Sequence, residues 1–509
     1  MVGLYTPCRA SASRPPECLS GDRASGCVPR RPGSVGRQLS LSRCCRGRWR
    51  VHNQGEETSA TMKAWERVLF ILGLMALAYA GGLATGKYQL WPYEPLNQTV
   101  DATRALIDSY FPQELPEFDT PFVKGGVTRF EPDAAQEGVT FIPKVDEDGP
   151  GAVLVDMHGR VLHRWRLRFS EVFPGEAPHI IARAPDERIV WHGVHLYPNG
   201  DVLLNLEGGN FPFGSGLVMI DRDSRIKWSL ARNTHHALDV LDDGTIVVLA
   251  QDFMPEGVAA CGDYAKGPYL ADKLLRVSPD GKEIDSFSLA EALCRSPYRW
   301  MMAPYGNYPV RPALKPDVED LQHSNDVEVI RPEQAAAFPM GNAGDYLISF
   351  RNMNMIVVVD RGTRLVKWAM SGHFLRQHDP DLLPNGHILM FDNLGGSLEG
   401  ARPQGRSRVL EIDPVTQQIV WKYEGRTDKL DVFDAAKGGA VQKLPNGNVL
   451  VTHGWSGRVF EVTGDANPRI VWEYVNLLRT HGDGGVTGLA ADAQRFLPGE
   501  LTFLAAPQS

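Results

Sequence analysis

Four histidines recur at one phase of an internal repeat. His192, His236 and His378 each lie eight residues before a turn glycine: Gly200, Gly244 and Gly386. His323 lacks the matching turn, but its segment His323-Ser-Asn-Asp326 shares an H-x-x-D start with His236/Asp239 and His378/Asp381. Copies of one structural unit bring equivalent positions together in space. Neutral imidazole, with an ordinary pKa of about 6.5, is a good nucleophile at neutral pH. A covalent imidazole adduct divides a hard group transfer into two easier steps. A sulfuryl or phosphoryl group in flight spreads negative charge over its equatorial oxygens. A guanidinium and further imidazoles stabilise that charge in a water-poor site. Arg351, at the end of the run YLISFR, supplies the guanidinium. The expected catalytic set is therefore His236, His323, His378 and Arg351. One histidine on a strand is ordinarily a core or rim residue; the shared phase is what marks these. His192 departs from the pattern in having His195 where the others have Asp. His235 neighbours His236, and strand alternation leaves only one of the two facing a channel. The repeat phase selects His236. Asp239, Asp326 and Asp381 fall on the opposite face of an extended strand from their histidines, so a ring-orienting role is not expected of them.

These residues converge only if the repeats form a ring. From about Val139 the chain reads as short strands with turn signals every 8 to 12 residues. The clearest unit runs from 378 to 424 and is repeated from 441 to 474. A tryptophan recurs in the fourth strand of the unit, as Trp165, Trp228, Trp368, Trp421 and Trp472. Units begin near 139, 192, 236, 323, 378 and 439, which predicts an all-β fold, a six-bladed β-propeller over 138–509. A pair of β-sandwiches would not require one repeated phase. In a propeller the first strand of each blade lines the channel, and the second strand ends at the same mouth. The second-strand ends are Asp252, Arg351, Asp392 and His453. His192, His453 and Asp392 are expected to bind substrate. Ring closure is not legible, although 484–509 offers a strand. Insertions at Met254–Lys273 and Leu289–Gln322 are candidate lids.

The N-terminal part differs. Residues 1–61 carry ten Arg, no Lys and four acidic residues, so the remainder holds about −14 of a net −8. Nothing after Met62 reads as a nucleic-acid-binding stripe. The segment 1–61 is a disordered basic arm, or else the natural chain starts at Met62. Residues 62–87 read as a membrane anchor or signal segment: Lys63 and Arg67, then an apolar run from Val68 to Thr85. The basic flank leaves the N-terminus cytoplasmic and exports the chain beyond Lys87. Ala78-Tyr79-Ala80 is a possible cleavage site, but the apolar run continues past it. The reading is a single-pass anchor with the propeller on the periplasmic or extracytoplasmic side. Residues 88–137 are a connector, with a short helix near 99–110. Of seven Cys only Cys261 and Cys294 lie in the exported part. An oxidising compartment allows them to pair, two free buried thiols being the alternative.

The segments HHALDVLDDG, HSNDVEVI, SFRNMNMIVVVD and QHDPDLLPNGHILMFDN together resemble the bacterial arylsulfotransferase family, the type independent of a nucleotide sulfate donor. The resemblance covers roughly 139–480. It implies a six-bladed propeller that moves a sulfuryl group from an aryl sulfate to a phenol, by a ping-pong route through a sulfohistidine. The family's order of His, His, Arg and nucleophilic His falls on His236, His323, Arg351 and His378. It implies an aryl sulfate and a phenol as partners, with no cofactor and no metal. The family's periplasmic enzymes carry a β-sandwich before the propeller, where this chain has only 88–137. Two other readings compete. A ring of histidines could hold iron for an oxygenase, which Arg351 beside the metal disfavours. A membrane-anchored propeller could also be a non-catalytic scaffold.

Overall fold

The computed structural model describes residues 63–88, 90–91, 93, 117–265, 268–302, 320–394, 407–425, 433–435, 437–482 and 484–504. The basic segment 1–61 and the helix expected near 99–110 lie outside the described residues. The chain divides into two units, Met1–Ala78 and Tyr79–Ser509. A 25-residue helix, Ala64–Tyr88, runs through the boundary. At 1.5 Å per residue it is about 37 Å long, more than the roughly 30 Å of a bilayer's hydrocarbon. It is apolar enough to cross a membrane, and its apolar side chains, Phe70, Leu72 and Leu77 among them, have no cover among the described residues.

The second unit is built from antiparallel sheets. Among the described residues six have four or five strands. Each has apolar side chains on both faces, because each is packed between two others. The strand Tyr346–Phe350 (YLISF) and its partner Met355–Val359 (MIVVV) are buried at every position. Six apolar clusters join successive sheets. Phe141 and Leu154 pack with Leu204 and Val218; Leu203 and Met219 with Val248 and Leu275; Leu249 with Ile348 and Val357. Leu347 and Val358 pack with Met390 and Leu410; Leu389 and Phe391 with Val451 and Phe460. The last, Leu450 and Trp472 with Ile142 and Val153, returns to the first sheet. The sheets therefore close on themselves as a β-propeller.

The recurring tryptophans latch neighbouring sheets. Trp165 donates its indole N–H to the Gly200 carbonyl (3.0 Å), Trp228 to Pro279 (3.1 Å), Trp421 to Asp465 (3.0 Å) and Trp472 to Met157 (3.0 Å). Each acceptor lies in a turn of the next sheet. An indole buries a large apolar surface and needs a partner for its N–H, so one residue type serves four of the six seams. Trp368 is the exception and packs edge-on against Phe338, ring centroids 5.8 Å apart.

The ring is closed by the strand Gln494–Phe496, which pairs with Val139–Phe141 as the innermost strand of the first sheet. The part of the chain expected to be connector contributes more than a link. Gly126–Phe130 is a fifth, outermost strand of the sixth sheet. Glu117–Thr120 joins Gly484–Gly488 and Leu477–His481 in a separate three-stranded sheet. Within the inserted segments, Cys261 and Cys294 are joined by a disulfide, with Cα atoms 5.1 Å apart.

Candidate active site

The innermost strands do not run smoothly past the phased histidines. Register shifts occur between His192 and Val194, His235 and Leu238, Ser324 and Asp326, and His378 and Asp381. His236 (φ 49°), His323 (φ 45°) and Asp379 (φ 50°) take left-handed backbone conformations, as does Gly193 (φ 59°). Such a bulge turns a side chain off the pleat and costs on the order of 1–2 kcal/mol for a residue with a Cβ. Gly193 could not carry a Cβ at all, because it would lie 1.6 Å from the His236 carbonyl oxygen.

All four histidines and Arg351 line one cavity of about 630 Å³. His192 and His236 have ring centroids 4.8 Å apart, and His236 and His323 5.0 Å apart. Phe213 packs against both His236 and His323, at 5.7 and 5.4 Å. The expected convergence is thus present. His235 is fully buried behind the cavity, with Nδ1 2.9 Å from Nδ1 of His236.

Two of the residues expected to bind substrate do not reach the cavity. Asp392 is fully buried beneath it and paired with Arg408, whose Nε lies 2.9 Å from Oδ2. His453 is buried edge-on against Phe433, at 5.3 Å, and burial pushes it down to about 3. Asp252 is held by Lys273 at 2.5 Å. Second strands do end at this mouth, but the informative position is one residue further along. Glu207 and Asn393 each lie seven residues after the turn glycine, Gly200 and Gly386, and these are the residues that touch the imidazoles. That offset is visible in the sequence, but without the bulge geometry nothing distinguishes it from its neighbour. The structure also adds Asp492 (φ 35°), beside the closing strand, and Arg376, Trp455 and Phe118 to the cavity wall. None of these carries a repeat signal.

The imidazoles differ in their proton behaviour. His192 has Nδ1 3.2 Å from Glu207 and Nε2 3.9 Å from Asp492. Burial works to lower it, but the two carboxylates outweigh burial and raise it to about 9, so it is an imidazolium at neutral pH. Glu207 also accepts the His236 backbone N–H (2.6 Å); burial opposes its ionisation, and His192 holds it below the usual range. His236 is pushed well down by burial and then by its imidazole neighbours. His378 is likewise pushed well down, by burial and then by Arg351, so it is neutral. Its Nδ1 lies 2.6 Å from Asn393 Oδ1. Asn393 Nδ2 donates to the carbonyls of Ala435 (3.0 Å) and Gly438 (2.8 Å). The amide is thereby fixed with its oxygen toward the ring, so His378 must carry its proton on Nδ1. Nε2 keeps its lone pair, with no hydrogen-bond partner among the described residues. His323 Nδ1 is hydrogen-bonded to Asp320, a carboxylate that burial opposes but His323 holds ionised. Burial, and then Arg376, pull Arg351 down to about 10, which leaves it a cation. Asp326 and Asp381, three residues after their histidines, bond to no imidazole among the described residues; burial and neighbouring carboxylates, Asp379 first, push both well up.

A neutral imidazole with a presented lone pair beside a guanidinium and an imidazolium is equipped for transfer of an anionic group. Residues 193–477, more than half of the chain, match the family described as Arylsulfotransferase (ASST). The chain belongs to the arylsulfotransferase family. As a member it is an arylsulfotransferase-like transferase acting on small molecules. No curated protein matches this arylsulfotransferase-family chain. Among solved structures it is similar to a protein of unknown function from Bacteroides caccae (11% identity, 69% of this chain and 99% of that one, TM-score 0.38). It is also similar to virginiamycin B lyase from Staphylococcus aureus (10%, 70% and 87%, 0.32) and to the WD40 β-propeller domain of Doa1 (10%, 75% and 97%, 0.33). At such scores the likeness bears on neither activity nor ligand.

Proposed function

We propose that the protein moves a sulfuryl group from an aryl sulfate to a phenol through a sulfohistidine at His378. The observation that carries this reading is the 2.6 Å contact of His378 Nδ1 with the locked Asn393 Oδ1, which assigns the proton to Nδ1 and the lone pair to Nε2 of a residue that lines the same cavity as Arg351. In the first half-reaction Nε2 attacks sulfur, the bond from sulfur to the aryl oxygen breaks, and the phenolate departs. His323, held on Nδ1 by Asp320, passes that phenolate its proton from Nε2. In the second half-reaction His323 takes the proton of the acceptor phenol. The phenol oxygen then attacks sulfur and the S–N bond breaks, restoring His378. Arg351 and the His192 imidazolium stabilise the charge on the sulfuryl oxygens. His236 packs between His192 and His323 and completes the wall.

The helix Ala64–Tyr88, with Lys63 and Arg67 before its apolar run, anchors the chain and leaves the propeller on the extracytoplasmic side. The Cys261–Cys294 disulfide suits an oxidising compartment. The domains are then an anchor at 62–87 and a propeller over 138–509, supplemented by strands from 117–130.

Incubation with 4-nitrophenyl sulfate and no acceptor tests the reading. It requires a burst of nitrophenol equal to the enzyme present and a mass gain of one sulfuryl on the peptide holding His378. Steady release of nitrophenol with an unmodified His378 peptide would sink the covalent route. One observation favours a second reading, a metal-dependent oxygenase. Donor atoms of His192, Glu207 and His236 all lie within 4.8 Å of one another. Stoichiometric iron in purified protein would favour it. Glu207 in this arrangement is already engaged by a backbone N–H and two imidazoles.

A further inference from the structure

Arg351 is not the only guanidinium on the cavity wall. Arg376, two residues before His378, lines the same cavity and is half-buried. Its backbone is fixed: φ is 55°, and its N–H donates to Asn354 Oδ1 at 2.8 Å. Its side chain has no hydrogen-bond or ion-pair partner among the described residues. The carboxylates on the wall are engaged elsewhere. Glu207 holds His192 and the His236 N–H, and Asp492 accepts the Gly193 N–H at 2.6 Å. Two further cations, Arg188 and Lys437, line the cavity, and Lys437 lies over the Trp455 ring at 5.5 Å. Trp455 packs edge-on against Phe118, at 5.2 Å, so an aromatic wall stands beside these cations. A sulfuryl group carries one negative charge, which Arg351 and His192 already answer. A second, uncompensated guanidinium in a partly buried site is costly unless a ligand supplies its counter-charge.

We infer that Arg376 forms a subsite for a second anionic group on the aromatic substrate, so that the preferred substrates are phenols and aryl sulfates bearing a carboxylate. The inference rests on the sulfuryl-transfer reading for the reaction, but not for the binding. The substrate ring packs on Trp455 and Phe118, and its carboxylate pairs with the Arg376 fork.

The test compares matched acceptors, 4-ethylphenol and 3-(4-hydroxyphenyl)propionate, with 4-nitrophenyl sulfate as donor. Matched donors, phenyl sulfate and 4-carboxyphenyl sulfate, are compared in the same way. The wild type should favour the carboxylated compound of at least one pair by about tenfold in kcat/KM. Arg376→Gln should collapse that ratio toward one, and Arg376→Lys should keep most of it. The pair affected tells whether donor, acceptor or both carry the charge. Calorimetric binding of the two acceptors, and of phenol and 4-hydroxybenzoate as the phenol halves of the two donors, should show the same preference and the same loss in the pair affected. If no sulfuryl transfer occurs with any compound, the reaction assigned above fails, and calorimetry alone still decides the subsite. A wild-type ratio near one overturns the inference. So does an equal loss on charged and uncharged compounds in Arg376→Gln, which would put Arg376 on the sulfuryl group instead.

Discussion

His192 and His378 occupy the same place in two copies of the repeat, yet one is a cation and the other a neutral imidazole. The difference lies in one residue of the adjoining strand. Seven residues after the turn glycine, the second sheet has Glu207 and the fifth has Asn393. The carboxylate, with Asp492 behind it, holds His192 protonated up to about 9. The amide, locked by two backbone carbonyls, accepts a hydrogen bond from His378 and offers no charge, so burial prevails and the ring stays neutral. A repeat that supplies identical imidazoles is thus differentiated by its second-strand partner.

Removing the proposed nucleophile should have the largest effect. His378→Ala is expected to lower kcat/KM for 4-nitrophenyl sulfate by roughly 10⁴-fold or more, with no sulfuryl on the corresponding peptide by mass spectrometry. A variant that still gives the burst would remove His378 from the chemistry. Next, Asn393→Asp makes the fifth sheet resemble the second. A carboxylate beside Nδ1 should raise the His378 pKa by about 1–3 units. The burst rate should therefore fall first on the acidic side of the pH profile and recover as pH rises. Equal loss at every pH would mean that the amide acts only in packing.

The opposite change, Glu207→Gln, is read in the pH profile. His192 is raised in the folded state, so its charge is fully present below the ordinary 6.5 and is lost as pH rises through about 9. The wild-type burst rate should therefore fall through about pH 9, and Glu207→Gln should move that limb toward neutrality. Folding stability carries the same sign: the contribution of His192 is complete below pH 6.5 and disappears above about 9. The smallest effect on turnover is expected at His453, which has a histidine's chemistry but no place on the cavity wall. His453→Asn should lower the Tm through lost packing against Phe433 and leave kcat/KM as it was. A tenfold loss in kcat/KM would return His453 to the site.

Much of the site is legible without coordinates. The His phase, the turn glycines and the fourth-strand tryptophans are short-period features, and a repeat writes each of them several times; Arg351 is found by its place at the end of a second strand. Asp392 and His453 stand at the ends of their second strands, where an unbulged repeat would place the contacts of the rings. The bulges, marked by φ values of 45–59° at Gly193, His236, His323 and Asp379, shift those contacts. The glutamate and asparagine that tune the rings then lie one position on. Arg376, Asp492 and Phe118 escape a sequence reading for another reason: each occurs once and outside the repeat.

The sequence by itself determined the repeating unit, the latch tryptophans, and which histidines would share a position, because those arise from local periodicity. Tertiary structure alone decided how the ring closes, through Gln494–Phe496 beside Val139–Phe141, and which wall residues meet the imidazoles. Proton affinity depends on the groups a few ångströms away in space: Glu207 and Asn393 come from the adjoining strand, but Asp492 reaches His192 from the far end of the chain.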